Sequence, residues 1–585
     1  MNQPLRPTSR PSSHYAPGML DRTFKAHMAA LTQGITPAGV ATVIYEWLAH
    51  LAMSPGKQLA LAEEAGFKLE YLLRYIRQAN MAPDTPPCIA PTLQDTRFAG
   101  DAWSRWPYHV IYQSFLLQQE WWESATTNID GLSRSTENVV SFIGRQILDR
   151  WSPSNFPWLN PEVIDTTLEQ GGMNFVRGWE NFCEDWERQM TGQPPVGSEA
   201  FKVGENLATT PGKVVYRNHL IELIQYTPTT NKVFAEPVLI VPAWIMKYYI
   251  LDLTPEKSLV RYLLDQGHTV FMISWRNVDS EDRELSMGSY RRLGPEAAID
   301  VVSSILPERK IHAVGYCLGG TLLTIQAATM ARDDDNRLAS LTLLAAQVDF
   351  TEAGELSLFI SESEVDYLES MMQERGYLDG YQMAGAFQLL RSNDLIWSRM
   401  VREYMLGERQ PMHPLMAWNA DVTRMPYLMH SQYLRRLYLN NDLASGRYIV
   451  GDRPIAITDI AVPIFSVATS SDHVAPWRSV YKIHLLTDTD EVTFLLTSGG
   501  HNAGIVSEIG HPRRTYQVET RYEKQSYVDP DTWQQMTPTH QGSWWPVWQE
   551  WLVERSSKEQ VDPPAMGGES YAPISDAPGT YVLQR

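Results

Sequence analysis

Lys310-Ile311-His312-Ala313-Val314-Gly315-Tyr316-Cys317-Leu318-Gly319-Gly320-Thr321 decides how this chain is read. Its first half is an apolar run of strand character. Gly-X-Cys-X-Gly follows, and then a helical run rich in Ala, Leu, Ile and Met from Thr321 to about Arg332. Strand, sharp turn and helix in that order make a nucleophile elbow with Cys where Ser is usual. A nucleophile on so tight a turn has a strained backbone and needs small neighbours, which the glycines supply. The turn lifts the side chain to the mouth of the sheet, near the positive end of the next helix. There a thiolate is favoured and the Leu318 N–H points at a developing oxyanion. The motif alone leaves one alternative open, a small buried cysteine in a tight strand–helix junction.

Outward from the elbow, the chain from about 210 alternates strands and helices. Candidate strands are Val214–Tyr216, Leu220–Tyr226, Val238–Val241, Thr269–Ile273, Ile311–Gly315, Leu341–Leu344, Pro463–Ala468 and Val492–Leu496. The runs Ser258–Asp265, Pro295–Leu306 and Thr321–Arg332 are helical. This order predicts an α/β fold with a mostly parallel sheet, its functional groups in loops at the carboxyl ends of strands. Two such loops hold what a thiol nucleophile needs: Thr469-Ser470-Ser471-Asp472-His473 and Thr497-Ser498-Gly499-Gly500-His501-Asn502. The order Cys317, Asp472, His501 is that of the α/β-hydrolase fold. In those roles His501 takes the thiol proton and Asp472 holds the imidazole in the right tautomer. Taken singly, each is also an ordinary loop residue, but of 14 histidines only His501 stands in the required loop. His473, beside Asp472, is a candidate for lining the site.

The stretch between Leu344 and Pro463 is longer than a simple crossover and falls where this fold places a cap, at about 350–445. A cap excludes water and shapes an acyl tunnel; a static helical decoration is the alternative. The expected division is a disordered N-terminus over 1–18, a helical domain over 19–205, the catalytic domain over 206–555 and a tail over 556–585. Met28–Leu31, Val43–Met53 and Phe115–Trp122 show the apolar faces of the helical part, which reads as a packing or dimerisation domain.

With 585 residues the chain can bury a large core and hold more than one domain. A net charge of −19 argues against broad nucleic-acid binding. Its 3 cysteines, Cys88, Cys183 and Cys317, are far apart and odd in number, so neither a disulfide framework nor a metal-ligand spacing is visible. No apolar signal core precedes Ala16 and no run of about 18 apolar residues occurs. The expectation is a cytoplasmic protein without a membrane span.

Several segments together resemble the polyhydroxyalkanoate synthases of the single-subunit type. They are Arg97-Phe98-Ala99-Gly100-Asp101-Ala102-Trp103, Lys247-Tyr248-Tyr249-Ile250-Leu251-Asp252-Leu253, Ser274-Trp275-Arg276-Asn277, Asn393-Asp394-Leu395-Ile396-Trp397, Tyr433-Leu434-Arg435 and Gly542-Ser543-Trp544-Trp545-Pro546, besides the elbow itself. The resemblance implies a polymerase that converts (R)-3-hydroxyacyl-CoA into polyester, with Cys317 as nucleophile, Asp472 and His501 as its partners, and oxyanion donors at Leu318 and in Ala243-Trp244. It implies no metal and no cofactor beyond the CoA carried by the substrate. It also implies a homodimer on the surface of cytoplasmic polyester granules, with phasin-type proteins as companions.

The chain departs from the family pattern near the expected pocket, with Met246 before the Lys-Tyr-Tyr motif, Val278 after Ser-Trp-Arg-Asn, Asn502 after His501, and Ser431 where short-chain members carry Cys. Two other readings follow from the same residues: a Cys-dependent hydrolase or thioesterase that passes the acyl group to water, and a non-catalytic granule-associated paralogue.

Overall fold

A computed structural model describes residues 36–82, 85–92, 95–383, 385, 392–557 and 559–585. The expected disordered segment 1–18 and the apolar stretch Met28–Leu31 lie outside them.

An 11-stranded sheet organises the catalytic part. In chain order its strands are β1 (Gly212–Arg217), β2 (Ile221–Tyr226), β3 (Val238–Val241), β4 (Val270–Trp275), β5 (Ile311–Tyr316), β6 (Leu338–Leu344), β7 (Ile464–Thr469), β8 (Glu491–Thr497), β9 (Thr515–Tyr522), β10 (Thr539–Gln541) and β11 (Ser575–Asp576). They lie in the order β10-β9-β8-β7-β6-β5-β3-β4-β2-β1-β11. The strands β3 to β8 pair in parallel. Their continuous apolar sequences follow from burial on both faces.

All eight strands expected from sequence are present, but the sheet is mixed and not mostly parallel. Antiparallel strands extend it at both edges. The reason is visible in β9, Thr-Tyr-Gln-Val-Glu-Thr-Arg-Tyr, which is half-exposed and too polar to read as a buried strand. The segment 556–585 is not a free tail. Gln560–Val561 pairs with Val233–Phe234, and β11 pairs with β1. The Lys247 ammonium donates to the Val582 and Gln584 carbonyls at 2.9 and 2.5 Å, and the buried Glu222 carboxylate accepts from the Thr580 and Tyr581 N–H groups.

The helical part contains α1 (Pro37–Ala52), α2 (Pro55–Met81), α3 (Tyr108–Thr126), α4 (Arg134–Arg150) and α5 (Met173–Thr191). The crossover after β5 is α6 (Leu318–Arg332), buried on every face from Leu318 to Met330. Between β6 and β7 the cap carries α7 (Glu362–Arg375) and α8 (Tyr427–Tyr433), the latter running on through Leu434–Leu439. The helical part touches the cap. Arg409 reaches Asp185 at 2.6 Å, Asn174 donates to the Met405 carbonyl at 2.7 Å, and Phe142 meets Phe359 edge-on.

Candidate active site

Cys317 stands between β5 and α6 with φ 52° and ψ −125°, a left-handed conformation that a non-glycine residue adopts only where its surroundings impose it. Its N–H donates to the Leu344 carbonyl at 2.9 Å, which ties the elbow to β6. The glycines are there because backbone passes at contact distance. A Cβ on Gly319 would sit 2.1 Å from the Val241 carbonyl oxygen, and one on Gly315 would sit 2.3 Å from the Gly320 Cα. Leu318 opens the helix, so its N–H has no acceptor within the helix.

The two other expected residues converge on the thiol. His501 Nδ1 lies 2.7 Å from Asp472 Oδ2, and the Cys317 thiol is near enough to the same ring to favour its protonated form. Asp472 has no exposed side-chain surface and is fully satisfied. Its Oδ1 accepts from the Val474 and Ala475 N–H groups at 2.9 Å each, and its Oδ2 also accepts from Thr469 Oγ1 at 3.1 Å. Burial alone would raise the Asp472 carboxyl; the His501 ring and the two backbone N–H groups outweigh it and hold the group below its ordinary value. Burial likewise opposes charge on His501, but Asp472 and Cys317 overcome it and push the imidazole well above its usual range. Nδ1–H is therefore committed to Asp472, and Nε2 is left for the thiol proton.

Cys317 opens into an apolar cavity with about 130 Å³ free for the centre of a water molecule. Ile245, Leu318 and Val474 form its floor, and Phe350, Phe359 and Met371 are among the side chains that wall it from the cap side. His473 is not part of this lining; its carbonyl accepts from the Glu355 N–H at 3.0 Å. Trp244 stands in the loop after β3, where its buried indole packs on Trp275 and Tyr290 and its carbonyl accepts from Thr423 Oγ1 at 2.7 Å. Its neighbour Ile245 reaches the cavity.

Residues 94–263 match the family described as poly-beta-hydroxybutyrate polymerase (PhaC) N-terminus, residues 236–507 the alpha/beta hydrolase fold, and residues 16–57 the poly-beta-hydroxybutyrate polymerase N terminal family. A poly(3-hydroxyalkanoate) polymerase of Methylorubrum extorquens is 42% identical over 86% of this chain and 82% of its own length. The poly(3-hydroxyalkanoate) polymerase subunit PhaC of Rhizobium meliloti is 38% identical over 84% of this chain and 80% of its own length. That of Cupriavidus necator is 35% identical over 84% and 83%. The chain belongs to the poly(3-hydroxyalkanoate) polymerase family.

In this polymerase-family chain the motif Gly542-Ser543-Trp544-Trp545-Pro546 supports the histidine loop. Trp544 and Trp545 are buried, and their indole N–H groups donate to the Gly504 and Ile505 carbonyls at 3.0 and 3.1 Å, just beyond His501. Trp275 of Ser274-Trp275-Arg276-Asn277 donates to the Pro242 carbonyl at 2.9 Å, and Trp418 to the Lys247 carbonyl at 2.7 Å, so both brace the loop after β3.

None of the four departures from the family pattern lines the cavity. Met246 bridges to Val422 at the base of the cap, and Val278 is fully buried. Asn502 accepts a hydrogen bond of 2.6 Å from the Tyr316 hydroxyl, a buried group next to Cys317 in sequence. Ser431 donates to Glu369, which also accepts from Arg435 at 2.7 Å; Arg435 in turn meets Glu362 and Asp366, clasping α7 to α8. These partnerships were not legible in the sequence, since each joins side chains far apart in the chain. Among the described residues no cluster of His, Cys, Asp or Glu is placed to hold a metal ion, and no helix is long and apolar enough to cross a membrane.

Proposed function

We propose that this chain polymerises (R)-3-hydroxyacyl-CoA into polyester, releasing CoA through an acyl thioester on Cys317. The observation that carries the reading is the Cys317 thiol beside His501, itself backed by Asp472, opening into a cap-covered apolar cavity in a chain of this family.

In the first half-reaction His501 Nε2 takes the thiol proton and the sulfur attacks the acyl-CoA carbonyl. The negative charge that develops on the oxygen meets the Leu318 N–H and a backbone N–H of the loop containing Trp244 and Ile245. The C–S bond to CoA then breaks and CoA leaves with the proton. One thioester has replaced another, so the acyl group stays activated. In the second half-reaction a 3-hydroxyl enters. His501 takes its proton, the alkoxide oxygen attacks the carbonyl held on Cys317, and the Cys317–acyl bond breaks with return of the proton to sulfur. An ester has formed and the thiol is free again. The apolar cavity supports transfer to an alcohol over transfer to water, because it disfavours bulk solvent at the thioester.

The product of such an enzyme is insoluble, so the same proposal places it in the cytoplasm at a granule surface, as a homodimer with phasin-type companions. Support comes from α5, on which Trp179, Trp186 and Met190 are 65%, 57% and 70% exposed.

The test is incubation of the purified protein with (R)-3-hydroxybutyryl-CoA, following CoA release and turbidity together, with Cys317→Ala in parallel. The expected result is release with turbidity, both lost in the variant. Release without turbidity would replace the polymerase with a hydrolase, and release surviving in Cys317→Ala would remove the nucleophile.

A further inference from the structure

The wall of the cavity over Cys317 is backed from outside the catalytic domain. Leu356, Phe359 and Ile360, all of them in its lining, come from one short stretch of the cap, the helical turn Glu355–Phe359 and the residue after it. The loop of Asp472 fixes the start of this stretch, where the Glu355 N–H donates to the His473 carbonyl at 3.0 Å. The helical part reaches it at three further points. Arg145 of α4 lies 3.8 Å from the Glu355 carboxylate. Phe142, also of α4, meets Phe359 edge-on, with ring centroids 5.6 Å apart and planes at 88°. Thr36, just ahead of α1, gives its N–H to the two Glu364 oxygens at 2.9 and 3.1 Å, in the first turn of α7. Thr136 of α4 donates to Glu46 of α1 at 2.9 Å, so the three contacts come from one joined unit.

These contacts are unequal. Phe142 and Arg145 stand three apart on α4 and so share one of its faces. The Arg145 ion pair is long and half-exposed, and such a pair adds little; its guanidinium also lies over the Phe142 ring, 5.6 Å from the centroid. Phe142 is the decisive member. It is buried, and an edge-to-face pair fixes both the position and the orientation of the partner ring. Protein interiors are close-packed, so a side chain on a cavity wall stays where the atoms behind it hold it. When those atoms are removed it relaxes into part of the space they leave. Phe359 is in that situation, with the cavity before it and Phe142 at its back.

We propose that the helical domain sets the length of acyl unit that the cavity accepts, with Phe142 as a positioning residue that holds Phe359 in the wall. This rests on the reading that the acyl group delivered to Cys317 occupies the cavity. A longer acyl unit needs volume that Phe359 fills, and Phe359 can yield that volume only by moving toward Phe142. The helical domain, which the sequence offered as a packing or dimerisation unit, thereby takes part in choosing the substrate without touching it.

The experiment measures CoA release from (R)-3-hydroxybutyryl-CoA and (R)-3-hydroxyhexanoyl-CoA by the full chain, and takes the ratio of kcat/KM for the longer ester over the shorter. It compares wild type with Phe142→Ala, Phe142→Leu, Phe359→Ala and the double variant Phe142→Ala with Phe359→Ala. Phe142→Ala should raise the ratio about tenfold, the lower end of what one methylene is worth in an apolar pocket, and Phe142→Leu should raise it by less. Phe359→Ala should raise it at least as far. Adding Phe142→Ala to that variant should change the ratio no further, because nothing is left to position. A contact that only stabilises the fold would lower Tm and leave the ratio where it was, so an unchanged ratio in a folded Phe142 variant would overturn the proposal. Effects that multiply in the double variant, or loss of folding in both Phe142 variants, would overturn it too. If the wild type releases CoA from neither ester, the functional reading falls and this proposal with it. If it releases CoA and the ratio ignores Phe142, only this proposal falls.

Discussion

Replacing Asp472 by Asn separates the two half-reactions. In the wild type Oδ1 accepts two backbone N–H bonds at 2.9 Å, so an asparagine must keep its carbonyl oxygen there. Its NH₂ then faces His501 Nδ1, where a carboxylate oxygen stood at 2.7 Å. An NH₂ group donates, so Nδ1 becomes the bare nitrogen and the ring proton moves to Nε2, which can no longer act as a base. The same tautomer error in a serine protease costs about 10⁴ in kcat, or roughly 5.5 kcal/mol. The two steps should not suffer equally. A thiol gives up its proton far more readily than an alcohol and is less dependent on the base. An alcohol, which ionises about as reluctantly as water, needs that base. Acylation of Cys317 should therefore slow by about 10² and elongation by roughly 10³–10⁴. Rapid-quench measurement of CoA release reads both: Asp472→Asn should show one slow stoichiometric burst and almost no steady state. Equal slowing of burst and steady state, or a normal steady state, would refute the assignment of Asp472 to the base.

Three further perturbations test other parts of the structure. Gly319→Ala places a Cβ 2.1 Å from the Val241 carbonyl oxygen; it should cost about 1–3 kcal/mol in denaturant unfolding and lower the acylation rate, and an unperturbed, active protein would show that the glycine is not needed for close packing. Tyr316→Phe leaves Asn502 Oδ1 without its 2.6 Å donor and should cost about 1 kcal/mol, most of it recovered when Asn502→Ile is added; a double-mutant cycle with no coupling would deny that the pair acts together. Burial raises the Glu364 carboxyl from 4.5 to about 7, although it accepts the Thr36 N–H. The folded state then binds a proton that the unfolded chain releases, so stability from this group is complete below about pH 4.5 and lost as pH rises through about 7. Glu364→Gln, which keeps an acceptor for Thr36, should accordingly raise stability by about 1–2 kcal/mol at pH 8 after screening and leave Tm unchanged at pH 4; an equal gain at both pH values would contradict the burial argument.

Much of the catalytic core was legible in the sequence because it is written locally. The elbow needs adjacent residues: an apolar strand, a strained Cys317, and glycines where backbone crosses backbone. The strands β3 to β8 announce themselves as continuous apolar runs because both of their faces are buried. Asp472 and His501 were found by position, each in the loop after a strand. The strand β9, second from one edge of the sheet, was missed although Tyr516, Val518 and Thr520 alternate with polar residues, a signal that could have found it. The chain 556–585 read as a tail because its hold on the sheet comes from Glu222 and Lys247, more than 300 residues earlier.

The sequence by itself determined the candidate nucleophile, its two proposed partners, their order along an α/β chain and the membership that its motifs proclaim, since each depends on residues close together or on the periodicity of single elements. Only the tertiary structure decided what surrounds them. It turned Trp544 and Trp545 into supports for the His501 loop, and put Asn502 on Tyr316 and Ser431 on Glu369. The physical reason is that a hydrogen bond, or its absence, belongs to a pair of atoms in space. When the cap folds back over the sheet it joins residues as many as 179 apart in the chain, and no local pattern records which of them will meet.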